Sequence, residues 1–463
     1  MKKRIASLVL VFCLFAGTAM ADTLTLQGDL SKTSPIRLWD PVLGYETVTT
    51  PWLFALEHQV PDITVKLTDK ADVSESTLVS KGINADAALL KGPYHWADLW
   101  QSGHFADLTD TTAVAEIVEV TYPLIAESVI FEGRAYAVPV SISTHHTLVW
   151  SEEGWDMAGL TFADVPVSFS GLLDFLECWA ALPENDRVST FSGITKKQFS
   201  SSTYALILVK LLIQHYALQC KVQGIAVDYT RSDFITMLDR CYSVGAALYK
   251  HDKEPKEFAL FEISSGDARA LPRAVKLGLT ENDQPVVAVT MNVVVLRADT
   301  QSLELAKTFL DCYCDQIIHR PGNDYTPFNF SQWEHEADVA HAQLFPNADQ
   351  PVMCDTPFSY PAALEMISEL QALLDEEDLL DKQQAEIEPW IDTAQQAWEV
   401  LGTRHWYYSR EELAAYKTVA PAFCPEPVPD ADNKEIEKAL TRWAEGRDTA
   451  LALGANLNSI LSK

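Results

Sequence analysis

A mixed α/β chain built in two units is what the sequence predicts, and two observations predict it. Short apolar runs with the two-residue period of strands alternate with longer runs at helical spacing. The length, 463 residues, also exceeds what one hydrophobic core ordinarily serves. Residues 23–26 and 36–39 are both short strand candidates, and either could be the first core strand. Residues 49–59 read as a helix with Trp52, Leu53 and Leu56 on one face; Val60-Pro61-Asp62 stops it, and 63–67 alternate as a strand. Residues 85–90 form a buried-strand run that opens into a loop over 91–96. Ligands of open α/β sheets sit at the carboxyl ends of strands, which makes that loop a place for ligand contact.

Further along, Ser168 is placed to cap a helix carrying Leu172, Leu173, Phe175, Leu176 and Trp179. Gly171 stands where a capping box would have an acid, which weakens that cap. A Ser-rich segment, 199–203, precedes an apolar helix over 204–216. Residues 285–296 read as a long apolar strand and 302–313 as the helix after it. The stretch 322–431 is rich in Pro, acids and aromatics, with helices at 365–380 and 389–400, and 437–462 closes the chain as helices.

The N-terminus sets the compartment. Lys2, Lys3 and Arg4 precede an apolar run over 8–16, and Ala19-Met20-Ala21 supplies small residues for a signal-peptidase cut before Asp22. The run is shorter than the roughly 20 apolar residues of a membrane span. Cys13 follows Phe12 inside the run, so the small-residue-then-Cys signal of a lipoprotein is missing, and a periplasmic or secreted protein is expected. Without residues 1–21 the chain carries 32 Lys and Arg against 65 Asp and Glu, a formal charge of −33. Such a field repels nucleic acid and anionic lipid and disfavours an anionic solute.

Seven cysteines remain after that cut, an odd number that leaves at least one thiol or an intermolecular bridge. Cys312-Tyr313-Cys314 has a one-residue gap, whereas zinc and redox pairs use two, so these cysteines read as helix core. His335 and His341 are six apart, and a zinc pair on one helical face needs four. No nucleophile elbow, phosphate-binding loop or dinucleotide fingerprint is present. No cofactor, metal or catalytic residue is therefore expected. Paired carboxylates abound at this composition, so a secreted glycoside hydrolase is the alternative of different class. His145-His146 alternate across a strand, one of them toward a cleft or both toward surface and core.

Residues 100–160 carry an ordered series of motifs: Gly103-His104-Phe105-Ala106-Asp107-Leu108-Thr109-Asp110, then Tyr122-Pro123, then Phe131-Glu132-Gly133-Arg134-Ala135-Tyr136-Ala137-Val138-Pro139-Val140, Leu148-Val149-Trp150 and Ala158-Gly159-Leu160. This order closely resembles the extracellular solute-binding proteins of ABC importers, particularly their large sugar-binding group (family 1, maltose-binding-protein-like). The turn and strand at 56–67, the segment 165–173 and the closing helices with Trp443-Ala444-Glu445-Gly446-Arg447 resemble the same family. The resemblance implies a two-lobe periplasmic-binding-protein fold of type II, with a ligand cleft between α/β lobes joined by hinge strands. It implies a signal peptide at 1–21, a first lobe from 22–140 plus 285–330, and a second from 141–284 plus 331–463 with a helical C-terminal extension. It also implies a monomer that closes on a small solute, most simply a carbohydrate, and delivers it to permease subunits of an ABC importer. A non-sugar solute or a sensory role are the other readings of such a fold.

Candidate ligand contacts follow position. Trp39 and Asp40 end a first-strand candidate, and Lys91, Tyr94 and Trp96 follow the strand over 85–90. Phe199, Ser201 and Tyr204 lie in and after the Ser-rich segment. By resemblance, residues 103–110 close the binding edge of the first lobe and Ser143 sits on the crossing strand, where relatives place a ligand-contacting polar side chain, often an acid. Trp150 and Ser151 replace the family's Tyr-Asn. All twelve Trp residues lie beyond the signal segment, a supply suited to stacking on the apolar face of a sugar ring.

Overall fold

A computed structural model describes residues 23–28, 37–39, 46–48, 56, 59–60, 63–68, 73–319, 353–354, 406–408, 410–425 and 434–461. The signal segment expected at 1–21, most of the helix expected at 49–59, the histidine pair at 335–341 and the helices expected at 365–380 and 389–400 lie outside the described residues.

The first sheet is built on β1 (Thr23–Gln27). Residues 36–39 do not compete with it: β2 (Arg37–Trp39) pairs only with β3 (Glu46–Val48) in a separate two-stranded ribbon. β1 runs parallel to β4 (Thr64–Thr68) and to β5 (Ala87–Lys91). Leu24 and Leu26 are fully buried, and β5 reads apolar almost throughout because both its faces are covered. Four helices follow on this unit: α1 (Glu75–Lys81), α2 (Trp96–Gln101), α3 (Thr112–Val120) and α4 (Pro123–Val129). A short ribbon of β6 (Ile130–Phe131) and β7 (Arg134–Ala135) then leads into β8 (Val138–Thr144).

From β8 the chain passes through His145 and His146 into β9 (Thr147–Trp150), which belongs to a different sheet. That three-stranded sheet is completed by β10 (Val188–Phe191) and β11 (Phe258–Ser264), with helices α5 (Glu152–Ala158), α6 (Phe169–Ala181), α7 (Ser201–Val222) and α8 (Ser232–Asp252) between them. Ser168 caps α6 as expected, its Oγ accepting from Gly171 N at 2.9 Å. Gly154 in α5 is obligatory, since a Cβ there would stand 1.8 Å from Ala259 O of β11. The Ser-rich segment is itself the start of α7: Ser200 is the N-cap, and the helix runs on to Val222. By length and composition α7 could cross a membrane, yet it is mostly buried among α6, α8 and the sheet, the mark of a core helix.

The chain returns through β12 (Val287–Leu296), a run of β-branched residues suited to a strand covered on both faces. β12 lies antiparallel to both β5 and β8, so it closes the first sheet. α9 (Leu303–His319) follows, with Cys312 and Cys314 both buried in the first core beside Phe309 and Val294. β13 (Met353–Cys354) pairs with β14 (Trp406–Tyr408), and α10 (Arg410–Val419) leads to β15 (Phe423–Cys424). β15 pairs in parallel with Val287 and Ala288 of β12. A two-residue strand carries too little pattern to be seen in sequence, and its partner is far away. α11 (Lys434–Ala444) and α12 (Ala450–Leu461) then pack on the second core through Ile436, Leu440, Trp443, Leu453 and Leu457. Among the described residues the fold is therefore α/β with two main sheets and two large apolar cores, and the chain passes between them at 144–147, at 264–287 and between β15 and α11.

Two buried polar sites stand out in the second unit. Asp252, 1% exposed, accepts from Thr190 N at 2.8 Å, Tyr204 Oη at 2.6 Å and Thr190 Oγ1 at 3.2 Å, and lies 2.9 Å from His251 Nδ1. It ties α8 to β10 and α7 at once. Asp252→Ala strands these partners in a dry site and should cost about 3 kcal/mol, against about 1 kcal/mol for Tyr204→Phe, in urea unfolding. Burial pushes His215 of α7 down to a pKa of about 4. Its ring is neutral in the fold and protonated in the unfolded chain between that value and the ordinary one of about 6.5. The unfolded state binds the extra proton, so stability falls as pH drops through that window, by about 3 kcal/mol in all. Unfolding curves from pH 7 to pH 4 should show this loss, and His215→Leu should remove it.

Candidate functional site

The strand registers gather a row of polar side chains where the two units meet. Lys91, last residue of β5, pairs with Asn292 of β12, which in turn pairs with Ser141 of β8. Residues directly opposite one another share a face of the sheet, so these three project together. Asn292 Nδ2 donates to Ser141 Oγ at 2.8 Å. Two residues further along β8, Ser143 faces Thr290 on the same side. Ser141, Ser143, Thr290 and Asn292 are half-buried, while Ile142 and Met291 between them are buried on the opposite face. Apart from Lys91 the row is uncharged, and it offers hydroxyl and amide groups that both donate and accept.

The end of β8 is held firmly beside this row. Thr144 Oγ1 lies 3.1 Å from Ser264 Oγ, donates to Asp267 O at 3.1 Å and accepts from Asp267 N at 3.0 Å. Thr147 Oγ1 donates to Ala288 O at 2.7 Å, linking β9 to β12. The turn residues are fixed from both sides: His146 N donates to Ser265 Oγ at 2.8 Å, and Gln214 Nε2 of α7 donates to His145 O at 2.6 Å. Both histidines thus belong to the connection between the units, with rings 4.9 Å apart. β5 ends at Lys91 beside Asn292 and β11 ends at Ser264 beside Thr144, and carboxyl ends of strands are the edge at which open α/β sheets take ligands.

Of the residues expected from sequence, Lys91 and Ser143 fall in this row. Tyr94 and Trp96 do not: both are buried, Tyr94 Oη donating to Val73 O at 3.2 Å and Trp96 Nε1 to Pro425 O at 2.8 Å. Trp96 stacks on Trp100, and Trp100 on Tyr136, with centroids 5.8 and 5.9 Å apart. The indoles fill the first unit and anchor the chain as it leaves β15. The reason for choosing Trp39 and Asp40 lapses because β1, not β2, is the core strand; Asp40 lies outside the described residues. Phe199, Ser201 and Tyr204 sit at the opposite end of α7 from the crossing. Gln214, which reaches the crossing, is about 15 Å further along the helix axis than Tyr204. Tyr204 is buried against Asp252, and desolvation, helped by that carboxylate, pushes its phenol well up; Phe199 packs on Tyr249, and Ser201 is exposed in the first turn. Residues 103–110 also lie away from the row, since Ala106 N donates to Leu296 O at the amino end of β5. Trp155, Trp179 and Trp443 are buried with Trp96 and Trp100, so Trp150 is the half-exposed indole among the described side chains.

Ser141, Thr290 and Asn292 are not among the residues expected from sequence. Their signal was present as polar residues alternating within apolar strands, but only the register shows that they face one another.

No family model and no curated protein matches the chain. Solved structures similar to it include a sugar transporter of Rhizobium etli in an open conformation, 14% identical over 96% of this chain and 99% of that one, with a TM-score of 0.48. An ABC substrate-binding protein of Listeria monocytogenes in complex with cycloalternan is 13% identical over 96% and 99%, with a TM-score of 0.42. The protein UgpB of Mycobacterium tuberculosis in complex with glycerophosphocholine is 13% identical over 96% and 98%, with a TM-score of 0.43.

The last residue of β5 and the indole that follows the strand should separate on substitution. Trp96→Ala removes a fully buried indole and should cost about 3–5 kcal/mol in chemical unfolding. Lys91→Ala at the exposed strand end should stay within about 0.5 kcal/mol.

Proposed function

We propose that this protein is an extracytoplasmic solute-binding protein that captures a small neutral solute, most simply a carbohydrate, between its two units and passes it to an ABC importer. The observation that carries this reading is the uncharged row Ser141, Ser143, Thr290 and Asn292, on strands that end where the chain passes from one sheet to the other. Hydroxyls and an amide can each donate and accept, which matches the mixed demands of sugar hydroxyls. Lys91 adds a donor at the row's end. The ordered motifs over 100–160 and the N-terminal signal pattern support the same class and a periplasmic or secreted location. Binding works by approach of the two units, with the connecting segments absorbing the change and the closed form meeting the permease. No group is assigned to bond cleavage, and the protein returns its solute unchanged.

The test is a thermal-shift and calorimetric screen of the mature chain against mono- and oligosaccharides, polyols, amino acids and peptides. A solute at about 100 times its Kd should add roughly 2.7 kcal/mol of apparent stability. Asn292→Ala and Ser143→Ala should each weaken the best sugar by about 1 kcal/mol, a factor of about five, with little change in the unliganded melting point. Response to another solute class alone would refute the carbohydrate assignment, and hydrolysis of a bound glycoside would refute the non-catalytic one.

A further inference from the structure

Away from the polar row, Glu75, His95 and Asp98 bring a carboxylate, an imidazole nitrogen and a second carboxylate within 4.8 Å of one another. It is a cluster of three metal-capable side chains among the described residues. Glu75 opens α1 and Asp98 lies in the first turn of α2, with His95 as the residue that caps it. These two helices follow β4 and β5, the strands on either side of β1, and their starts lie side by side. The buried Tyr94 hydroxyl donates across to Val73 O at 3.2 Å and joins the two starts independently of the three side chains. His95 Nδ1 is 2.9 Å from Glu75 Oε1.

We propose that Glu75, His95 and Asp98 form a binding site for a divalent transition-metal ion, zinc being the ion the donor set suits best. Zinc–nitrogen and zinc–oxygen bonds are about 2.0–2.2 Å, so donors around one ion stand about 3–4 Å apart, close to the spacing already present. An ion pair between Glu75 and His95 needs no third member. Asp98 brings a second negative charge to the same point, and two carboxylates this close repel unless a cation lies between them. One nitrogen and two oxygens match a site that keeps a further coordination position for water. The chain's excess of acidic residues raises the cation concentration around it. A bound ion would cross-link α1 to α2. This site is independent of the solute reading and survives its failure.

The test is calorimetric titration of the metal-stripped, full mature chain with zinc chloride, for the parent and for His95→Gln, Asp98→Asn and Glu75→Gln. The parent should bind one equivalent that is weakened at least about tenfold by each substitution, as loss of a ligand must cost no less than loss of an outer partner. Asp98 is exposed, so Asp98→Asn keeps the fold even if another variant does not. Cobalt(II) placed in the same site should show a visible spectrum without a thiolate charge-transfer band. Absence of zinc binding by the parent, zinc binding unchanged in Asp98→Asn, or a thiolate band that locates the ion on cysteine would each overturn the assignment.

Discussion

Strand β12 is the element on which everything else in this protein depends. It supplies the hydrogen-bonding edge for β5 on one side and β8 on the other, takes β15 at its start, and receives the Thr147 hydroxyl from β9. One ten-residue strand therefore closes the first sheet and touches every segment that passes between the units. Its composition follows from that position. Val287, Val289, Val293, Val294 and Val295 are buried, whereas Thr290 and Asn292 interrupt the run where one face comes into reach of solvent.

The connections at 144–147 and 264–267 are pinned by side-chain to backbone hydrogen bonds, not by apolar packing. Each such bond contributes only about 1 kcal/mol net, and each depends on angle as well as distance. A joint made this way fixes a resting geometry while leaving the alternative within a few kcal/mol. The cores behave differently. Trp155 stacked on Phe175 and Tyr216 packed on Phe234 belong to a densely filled interior that moves as a body. The contrast between packed cores and hydrogen-bonded joints gives physical content to the closure proposed for this fold.

Charge is distributed with the same economy. The chain is strongly acidic, yet the polar row at the crossing carries no carboxylate. The buried acid of the second unit, Asp252, is held by three residues, Thr190, Tyr204 and His251, and plays a structural part. Asp86 does likewise at the amino end of β5: burial raises its pKa, but hydrogen bonds from Thr25 and Thr300 outweigh this and hold it below the usual carboxylate range. Most of the other acids among the described residues are exposed, where they serve solubility and cation attraction.

Much of the secondary structure was legible in the sequence, because apolar periodicity and helix caps are local signals. The strands beginning at Thr23, Thr64, Ala87 and Val287, the Ser168 cap and the paired closing helices could all be read that way. Lys91 and Ser143 could be placed by position. Pairing was beyond its reach. Ser141 meets Asn292 across 151 residues, Thr144 meets Ser264 across 120, and Trp96 meets Pro425 across 329. No window of local sequence contains both members of such a pair. The same holds for Phe199, Ser201 and Tyr204, whose residue types suit a binding site but whose place at the far end of α7 depends on how that helix lies against β10 and α8. The sequence by itself determined the α/β class and most of the strands and helices among the described residues. Only the tertiary structure decided which polar side chains share a face, since that depends on strand register, set by distant hydrogen bonds and the packing of two separate cores.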